Sequence, residues 1–319
     1  MIKIFITLGP ASMNKSFLSN LNKKYIKLLR INLSHTNIID LEKTVKYIRK
    51  YTNIPISFDT EGAQVRTSVL KKKTMSLRKN SNIIINKEIK NKDGLDLNPQ
   101  DIYKELKIND ILSIDFDGVK IKIIAESDTL FKCKVIEGGV IGTNKSILVN
   151  RKISIPAFTK KDIQAFDIAQ KLKIKNVALS FTSCAQDIKR LREYFTYPIK
   201  ITSKIESLKA IMNLKEIMNE ADNILIDRGD LSKEVPIHLI PRTQKNIVMA
   251  AQKNNTPVYV ATNLLESMVT QKEPTRAEVN DIYNTLNDGA TGLVLAAETA
   301  IGKYPSECVN MVIDVSKTL

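Results

Sequence analysis

Eight short apolar segments alternate with stretches of helical periodicity, and this alternation constrains the fold of the 319-residue chain more than any other feature. The predicted strands are residues 2–7, 26–32, 54–59, 177–181, 199–203, 223–227, 257–262 and 292–297. The predicted helices are residues 159–172, 185–195, 208–219, 241–254 and 275–288. Repeated βα units build a parallel sheet that is buried on both faces, and eight of them favour closure into a (β/α)8 TIM barrel over an open sheet.

One long stretch interrupts this alternation after the third predicted strand. Residues 111–114, 120–124 and 130–136 alternate apolar and polar side chains, and Asp117-Gly118 and Gly138-Gly139 indicate turns between them. The sequence therefore predicts an α/β protein in three parts. Residues 1–67 form the first part of the barrel, 68–152 a small β-rich inserted domain, and 153–319 the second part of the barrel.

The chain is basic, with 49 Lys and Arg residues against 34 Asp and Glu, a formal net charge of +15. Such a charge can indicate nucleic acid, an anionic membrane or a phosphorylated ligand as the partner. The lysines are scattered, however, and the sequence has no zinc-finger spacing and no ribonucleoprotein motif. Solvated lysine-rich faces are therefore favoured, and neither nucleic acid nor a membrane is expected as a partner.

Three cysteines lie far apart in the sequence, at Cys133, Cys184 and Cys308, which is typical of free thiols in a reducing compartment. No apolar run approaches the roughly 20 residues of a membrane-spanning helix. The apolar N-terminal segment turns at Gly9-Pro10, so it is better interpreted as a first strand than as a signal peptide. We therefore expect the cytoplasm as the location.

Polar side chains follow the predicted strands at their carboxyl ends, the rim where the active sites of barrel enzymes lie. Along the chain they are Arg30, Asn32, Ser34, His35, Asp59, Thr60, Arg66, Ser180, Lys204, Glu206, Arg228, Gly229, Asp230, Thr262 and Glu298. Charged groups at one rim of a buried barrel are costly unless partners or ligands compensate them. This clustering therefore predicts an active site.

Lys204 and Glu206 are two residues apart in an extended segment, so both side chains point the same way. Asp230 follows the neighbouring strand, and a cation could bridge the two carboxylates. Two carboxylates that leave positions open for water and phosphate suit Mg²⁺ or Mn²⁺ better than zinc. The alternative is a structural ion pair between Lys204 and Glu206, which the additional charges Arg30, Arg66 and Asp230 make less favourable.

Several kinds of site are excluded by what the sequence lacks. His35 and His238 are the only histidines, so a zinc site with several histidines is impossible, and His238 is predicted to be a loop residue. Neither GxSxG nor GxxxxGK[ST] occurs, which excludes hydrolase elbows and P-loop kinases. A rim with carboxylates and fixed positive charges suits phosphoryl transfer or an enolate intermediate.

Seven short motifs contain most of these rim residues. They are TLGPAS at 7–12, RINLSH at 30–35, DTEGAQVRT at 59–67, SKIE at 203–206, RGDL at 228–231, ATNLLESM at 261–268 and PTRAE at 274–278. In this order they resemble the motifs of the pyruvate kinase family. The resemblance runs from residue 1 to 319, is weakest in the insert, and implies the catalytic barrel with its inserted domain but without the C-terminal regulatory domain.

The resemblance implies a phosphotransferase that moves a phosphoryl group between phosphoenolpyruvate and ADP, with ATP as the other nucleotide. Glu206 and Asp230 would hold Mg²⁺ or Mn²⁺, and Asn32, Ser34, Asp59 and Thr60 match the potassium ligands. The implied catalytic residues are Lys204, Thr262 and Arg30, and the implied substrate contacts are Arg30, Arg66, Lys204, Asp227, Gly229, Asp230 and Thr262. Pro10, His35, Arg66 and Arg151 would lie towards the nucleotide, over which the inserted domain would close.

Three positions depart from the family pattern. Asp227 precedes the RGD motif where the family usually has a small residue, and it would place a carboxylate near the substrate. The family has Pro-Glu where this sequence has Ala63-Gln64. That glutamate accompanies potassium dependence in the family, so Gln64 leaves open whether this chain depends on potassium. The family's Gly-Glu-Thr-Ala-Lys-Gly motif appears as AETAIG at 297–302, so Ile301 replaces its lysine, and the chain stops one helix after the eighth predicted strand.

These departures keep three other hypotheses open. Asp227 motivates a specialised relative that acts on another 2-oxo acid or acceptor. A metal-dependent aldolase or lyase of the pyruvate-enolate kind would also place acidic ligands at a barrel rim. A non-catalytic binding or regulatory protein is the third hypothesis, motivated by the missing domain and motif lysine. The sequence also leaves homo-oligomer formation open.

Overall fold

The computed structural model describes residues 2–62, 64–70, 72–88, 94–115, 118–151, 153 and 155–319. The chain forms two compact units, one from Met1–Gly62 with Lys160–Leu319 and the other from Ala63–Thr159. We call them the barrel unit and the lobe. Within the described ranges, no helix combines the length and the apolar composition that crossing a membrane requires.

The secondary structure alternates in the barrel unit and is almost entirely strand in the lobe. The chain begins with β1 (Lys3–Thr7), α1 (Lys15–Ser19), β2 (Ile26–Asn32), α2 (Ile38–Tyr51) and β3 (Ile56–Asp59). The lobe contains β4 (Val65–Thr67), β5 (Thr74–Leu77), β6 (Asn82–Asn86), β7 (Leu97–Asn98), a 3₁₀ turn (Gln100–Lys104), β8 (Ile111–Ile114), β9 (Val119–Glu126), β10 (Leu130–Glu137), β11 (Gly139–Gly142) and β12 (Ser146–Val149).

The barrel unit then resumes and continues to the end of the chain. Its elements are α3 (Lys160–Lys171), β13 (Asn176–Leu179), α4 (Ala185–Glu193), β14 (Lys200–Ile205), α5 (Leu208–Met212), α6 (Leu214–Glu220), β15 (Asn223–Asp227), α7 (Arg228–Leu231), a 3₁₀ turn (Ile237–Leu239), α8 (Ile240–Lys253), β16 (Val258–Ala261), a 3₁₀ turn (Glu266–Val269), α9 (Arg276–Asn287), β17 (Gly292–Leu295), α10 (Ala297–Ala300) and α11 (Pro305–Ser316). His238, predicted to be a loop residue, lies in the first of these two turns, Ile237–Leu239.

Eight strands of the barrel unit close into a parallel barrel in the order β1-β17-β16-β15-β14-β13-β3-β2. Every neighbouring pair is parallel, because each connection passes through at least one helix or a longer crossover. The carboxyl ends of all eight strands therefore meet at one rim. The predicted (β/α)8 fold class is confirmed.

Among the residues that the structure describes, side chains from five strands pack together in the barrel interior. Phe5 of β1 stacks on Tyr259 of β16 with ring centroids 4.0 Å apart. Leu28, Leu225 and Val294 complete the cluster around these rings, each from a different strand. Such a filled core leaves only the strand ends and their loops for chemistry.

Near the rim, two predicted strands end at other residues than expected, and one predicted helix is divided. The strand predicted at 177–181 ends at Leu179, because the chain turns at Phe181, whose φ is +51°. The strand predicted at 199–203 continues to Ile205, since Lys204 and Ile205 still pair with β15. The helix predicted at 208–219 is two helices, separated at Asn213.

The lobe has its own sheet and its own apolar core. In the described residues, seven strands pair in the order β6-β10-β9-β8-β12-β4-β7, and β5 pairs with β11. The alternation predicted for 111–114, 120–124 and 130–136 corresponds to β8, β9 and β10, which bury every second residue. Asp117 of the predicted turn lies outside the described residues, and Gly118 has a φ of +74°.

The border of the lobe differs from the predicted 68–152. Strand β4, which that border leaves in the barrel, hydrogen-bonds to β12 and β7 of the lobe, with Arg66 opposite both Ser146 and Asn98. The compact unit accordingly begins at residue 63 and ends at 159. The period-2 pattern of a three-residue strand is too short to show which sheet it joins. Closure of the lobe over a ligand stays a prediction.

Candidate active site

Arg30 is anchored between two neighbouring barrel strands. Its Nε donates to Oδ2 of Asp59 at 2.6 Å, and its Nη1 donates to Oγ1 of Thr7 at 3.0 Å. Both charged side chains are buried. Burial would lower the pKa of Arg30, but the carboxylates of Asp59 and Asp227 raise it above its ordinary value. The rim therefore holds a fixed, permanently charged guanidinium.

Lys204 lies at the centre of the site, with only 5% of its surface exposed. Its Nζ is 2.7 Å from Oε1 of Glu206, 3.3 Å from Oδ2 of Asp227 and 3.7 Å from Oδ1 of Asp59. It also donates to Oγ of Ser180 at 3.3 Å. Burial would lower the pKa of Lys204, but these carboxylates outweigh burial and raise it, so the ammonium is charged at neutral pH.

Three carboxylates gather beside this ammonium. Glu206, Asp227 and Asp230 each place one oxygen within 4.8 Å of the others, a spacing suited to a shared cation. The second oxygen of Glu206 accepts a hydrogen bond of 2.6 Å from the backbone N–H of Phe181. Burial, followed by the repulsion of Asp230 and Asp227, raises the pKa of Glu206 although Lys204 opposes it. Hard oxygen donors in this number fit Mg²⁺ or Mn²⁺.

Asp227 joins this group more closely than the sequence indicates. Its Oδ1 accepts a hydrogen bond of 2.6 Å from Oγ1 of Thr262, while its Oδ2 faces Lys204. Burial would raise the pKa of Asp227, but Lys204, Thr262 and Arg30 lower it well below its ordinary value. This carboxylate is therefore ionised and bonded to two residues that the resemblance assigns to catalysis.

Lys233 is a site residue that sequence reasoning missed. Its Nζ lies 2.5 Å from Oδ1 of Asp230, and its side chain is largely buried. The spacing of three residues, which places two side chains on one face of a helical turn, was the available signal. A cation bound by Asp230 would have to share this carboxylate with Lys233.

The packing around residue 229 leaves room only for glycine. A Cβ atom at this position would lie 2.8 Å from Cγ2 of Thr262, closer than carbon atoms approach in folded proteins. The backbone of Thr262 itself has a φ of +77°, which is strained for a β-branched residue. Arg228 holds this conformation, because its Nε and Nη2 donate to the carbonyl of Thr262 at 3.0 and 2.6 Å.

The PTRAE motif stabilises the segment after β16, to which Thr262 belongs. Thr275 and Glu278 form a capping box that starts α9, and Glu278 also accepts hydrogen bonds from the backbone N–H and hydroxyl of Ser267 at 2.7 and 2.5 Å. Asp281 on α9 accepts both Nη1 contacts of Arg228, at 2.9 and 2.7 Å. The motif therefore acts structurally, fixing the segment that follows β16.

The four residues matched to potassium ligands lie at the ends of two neighbouring strands, with Asn32 paired to Asp59. Oδ1 of Asn32 accepts from the backbone N–H of Ser34 at 2.9 Å. Oγ1 of Thr60 accepts from the backbone N–H of Ser180 at 2.9 Å. Each of these two oxygens keeps a second lone pair. The binding of potassium by this set stays a prediction.

The four residues assigned to the nucleotide are divided between the two units. Pro10 and His35 are exposed in the barrel unit, after β1 and β2. In the lobe, Nη1 of Arg66 donates to the carbonyl of Asn144 at 3.2 Å. Nε and Nη2 of Arg151 donate to the two carboxylate oxygens of Asp110 at 2.7 and 2.8 Å. Their assignment to a nucleotide stays a prediction.

The last rim residue, Glu298, is buried in α10, where its Oε2 accepts from the backbone N–H of Ala296 at 3.1 Å. Burial raises the pKa of this carboxyl. Ile301, which replaces the family lysine, is 64% exposed, so the substitution leaves no buried cavity or charge.

The family model "Pyruvate kinase, barrel domain" matches residues 1–309. Plastidial pyruvate kinase 3 of Arabidopsis thaliana is 31% identical over 320 residues, which are 97% of this chain and 56% of that protein. The pyruvate kinases of Thermococcus litoralis and Thermotoga maritima are 30% and 32% identical over 99% of this chain and over 69% and 70% of their own lengths. This chain thus spans between about half and 70% of these relatives, and it belongs to the pyruvate kinase family.

Proposed function

We propose that this chain is a phosphotransferase of the pyruvate kinase type, which moves a phosphoryl group between an enol phosphate and a nucleoside diphosphate. The observation that carries the proposal is the position of Lys204, which contacts Glu206 and Asp227 at the rim of the barrel. Asp230 and Thr262 lie beside this group. Membership of the family supports the reaction class.

Glu206 and Asp230 would hold the divalent cation, Mg²⁺ or Mn²⁺. When bound, such an ion neutralises the charge that develops on enolate and phosphate oxygens. The buried position of Glu206 and its hydrogen bond from Phe181 keep one carboxylate oxygen oriented towards the site. Lys233 would release Asp230 as the metal binds.

Arg30 and Lys204 would supply the fixed positive charges. Asp59 and Thr7 orient Arg30 without using all of its five N–H donors, so the guanidinium can still grip a phosphoryl oxygen. The raised pKa of Lys204 makes it a poor proton donor at neutral pH. We therefore assign Lys204 to electrostatic stabilisation of the phosphoryl group and of the enolate.

Thr262 would position the water that protonates the enolate carbon. Its own hydroxyl proton points to Asp227, so its oxygen remains free to accept a hydrogen bond from that water. The backbone N–H groups of Gly229 and Asp230 would bind the substrate carboxylate. The close packing of Gly229 against Thr262 would fix the position of these N–H groups relative to the threonine hydroxyl.

The remaining ligands follow the family pattern in this proposal. Potassium would lie among Asn32, Ser34, Asp59 and Thr60, and the nucleotide would contact Pro10, His35, Arg66 and Arg151. The lobe would act as the lid that excludes water from the phosphoryl group.

A coupled assay with phosphoenolpyruvate, ADP, Mg²⁺ and K⁺ tests the proposal. We expect turnover from the wild-type chain and a loss of about 10³-fold or more in Lys204→Met, because the electrostatic contribution is lost. Exposed Lys317, which pairs with Asp314, is the matched control, and Lys317→Met should retain full activity. No turnover from folded wild-type protein that binds Mn²⁺ would rule the proposal out.

A further inference from the structure

Asp227 uses both of its carboxylate oxygens inside the site. Oδ1 accepts from the hydroxyl of Thr262 at 2.6 Å, and Oδ2 lies 3.3 Å from the ammonium of Lys204. The residue is only 8% exposed, so solvent screens these contacts weakly. The depressed pKa of this carboxyl agrees with a negative charge at neutral pH.

The proposed function assigns Lys204 to the phosphoryl group and the enolate, and it assigns Thr262 to the water beside the enolate carbon. Asp227 therefore occupies the ammonium that an enolate or enol-phosphate oxygen would use, and the hydroxyl next to it. Lys204 is further balanced by Glu206 and Asp59 before any ligand arrives. In the part of the chain that the structure describes, the ion pairs around Lys204 and Asp230 join four carboxyl groups, Asp59, Glu206, Asp227 and Asp230, to three cations, Arg30, Lys204 and Lys233.

We infer that Asp227 is a specificity-determining residue, an internal anion that competes with enolate-type ligands for Lys204 and Thr262. The inference rests on the proposed function for the class of ligand. An anionic ligand must displace Asp227 from both contacts and leave a buried carboxylate beside a second negative charge. Like charges in such an environment repel strongly.

The substrate preference follows from this competition. A ligand with a neutral or hydrogen-bond-donating group next to Asp227 avoids the repulsion, because a carboxylate only accepts hydrogen bonds. The site consequently discriminates against the plain enolate of a 2-oxo acid, and it favours a relative of that acid with a less negative or donor-bearing group at this position.

Binding of oxalate tests the inference without requiring turnover. Oxalate is a planar dianion with the shape of the enolate of a 2-oxo acid, and oxamate replaces one of its carboxylates with a neutral amide. Isothermal titration of both into wild-type, Asp227→Ala and Asp227→Asn proteins, each saturated with Mn²⁺, measures the discrimination. Asp314→Asn, which removes an exposed carboxylate on α11, is the control.

We expect Asp227→Ala to bind oxalate about 10- to 100-fold more tightly than wild type, since one buried like charge is removed. The affinity for oxamate should increase less than the affinity for oxalate. Asp227→Asn, which preserves the side-chain volume, should also bind oxalate more tightly than wild type. The control should match wild type. Equal oxalate affinities in wild type and in both Asp227 variants, with all proteins folded, would overturn the inference.

The two proposals fail in different ways. Tighter oxalate binding in Asp227→Ala without phosphoenolpyruvate turnover in any protein would support the competition and contradict the proposed function. Turnover by wild type with no gain of oxalate affinity in the variants would contradict the competition alone. A wild-type chain and variants that bind neither Mn²⁺ nor oxalate would contradict both.

Discussion

Nζ of Lys204 lies 2.7 Å from Oε1 of Glu206, and both side chains are almost completely buried where β14 ends. Burying an ion pair costs desolvation energy that is recovered only when further partners satisfy both groups. Asp227 and Ser180 contribute those partners to the lysine, and the N–H of Phe181 contributes one to the glutamate. The surrounding rim therefore supplies partners to both buried groups, the ammonium of Lys204 and the carboxyl of Glu206.

Removing the ammonium of Lys204 should destabilise the fold as well as lower the activity. Lys204→Met leaves the buried carboxylates of Asp227 and Asp59 without the lysine that they share, and breaking such a buried pair typically costs about 3–5 kcal/mol. Urea denaturation of the metal-free protein measures the free energy of unfolding. Lys317→Met, at an exposed pair, should change this free energy by less than about 1 kcal/mol. Equal effects of the two substitutions would contradict the prediction.

Metal binding should strengthen with pH. Burial, with the neighbouring Asp230 and Asp227, raises the pKa of Glu206 from 4.5 to about 8 although Lys204 opposes it. Below that value a metal ion must displace a proton, so Mn²⁺ affinity should rise up to roughly tenfold per pH unit between pH 6 and 8 and then level off. Isothermal titration at three pH values measures this slope.

The raised pKa of Glu206 has the opposite effect on the stability of the metal-free protein. Because the folded state holds the Glu206 proton more tightly than the unfolded state, the free energy of unfolding should fall as pH rises from about 4.5 to 8. Glu206→Gln should remove this contribution and abolish tight Mn²⁺ binding. A pH-independent Mn²⁺ affinity in wild type would contradict the assignment.

A single methyl group at residue 229 should disable the site. The Cβ of Gly229→Ala would lie 2.8 Å from Thr262, so the threonine must shift, and overpacking of this kind costs about 1–3 kcal/mol. A displacement of about 1 Å can lower the turnover rate about 100-fold. The coupled assay and thermal denaturation measure the two effects separately.

Gly142→Ala is the control for this substitution, since its nearest neighbour is the flexible end of Lys145 at 3.0 Å. We expect near-normal turnover from Gly142→Ala. Full activity in Gly229→Ala would show that Thr262 does not require its observed position.

Arg228→Lys should lower the turnover rate with little change in KM. Lysine cannot reproduce the fork that joins Asp281 to the carbonyl of Thr262, so the strained backbone at Thr262 should relax. Arg192 makes a comparable set of contacts with Asp222 and two carbonyls at the opposite end of the barrel. Arg192→Lys should therefore reduce the melting temperature while preserving kcat, and equal loss of kcat in both variants would contradict the prediction.

The order of the barrel strands and the identity of most rim residues could be predicted because both follow from local patterns. A buried parallel strand is a short apolar run, and the residue after it must lie at the carboxyl rim. The period of two residues places Lys204 and Glu206 on one face before any contact is known. The border of the lobe was predicted less well, because β4 has only three residues and its partners lie some 30 and 80 positions further along the chain.

The sequence by itself therefore determined the barrel, the family and the set of charged groups at one rim. Only the tertiary structure decided how those charges pair, because the pairs join strands whose register is set by closure of the barrel. Asp59 meets Lys204 across 145 positions, and Asp227 meets Thr262 across 35. No local pattern encodes such distances, and for this reason Asp227 could be recognised in the sequence as unusual but not as a partner of both Lys204 and Thr262.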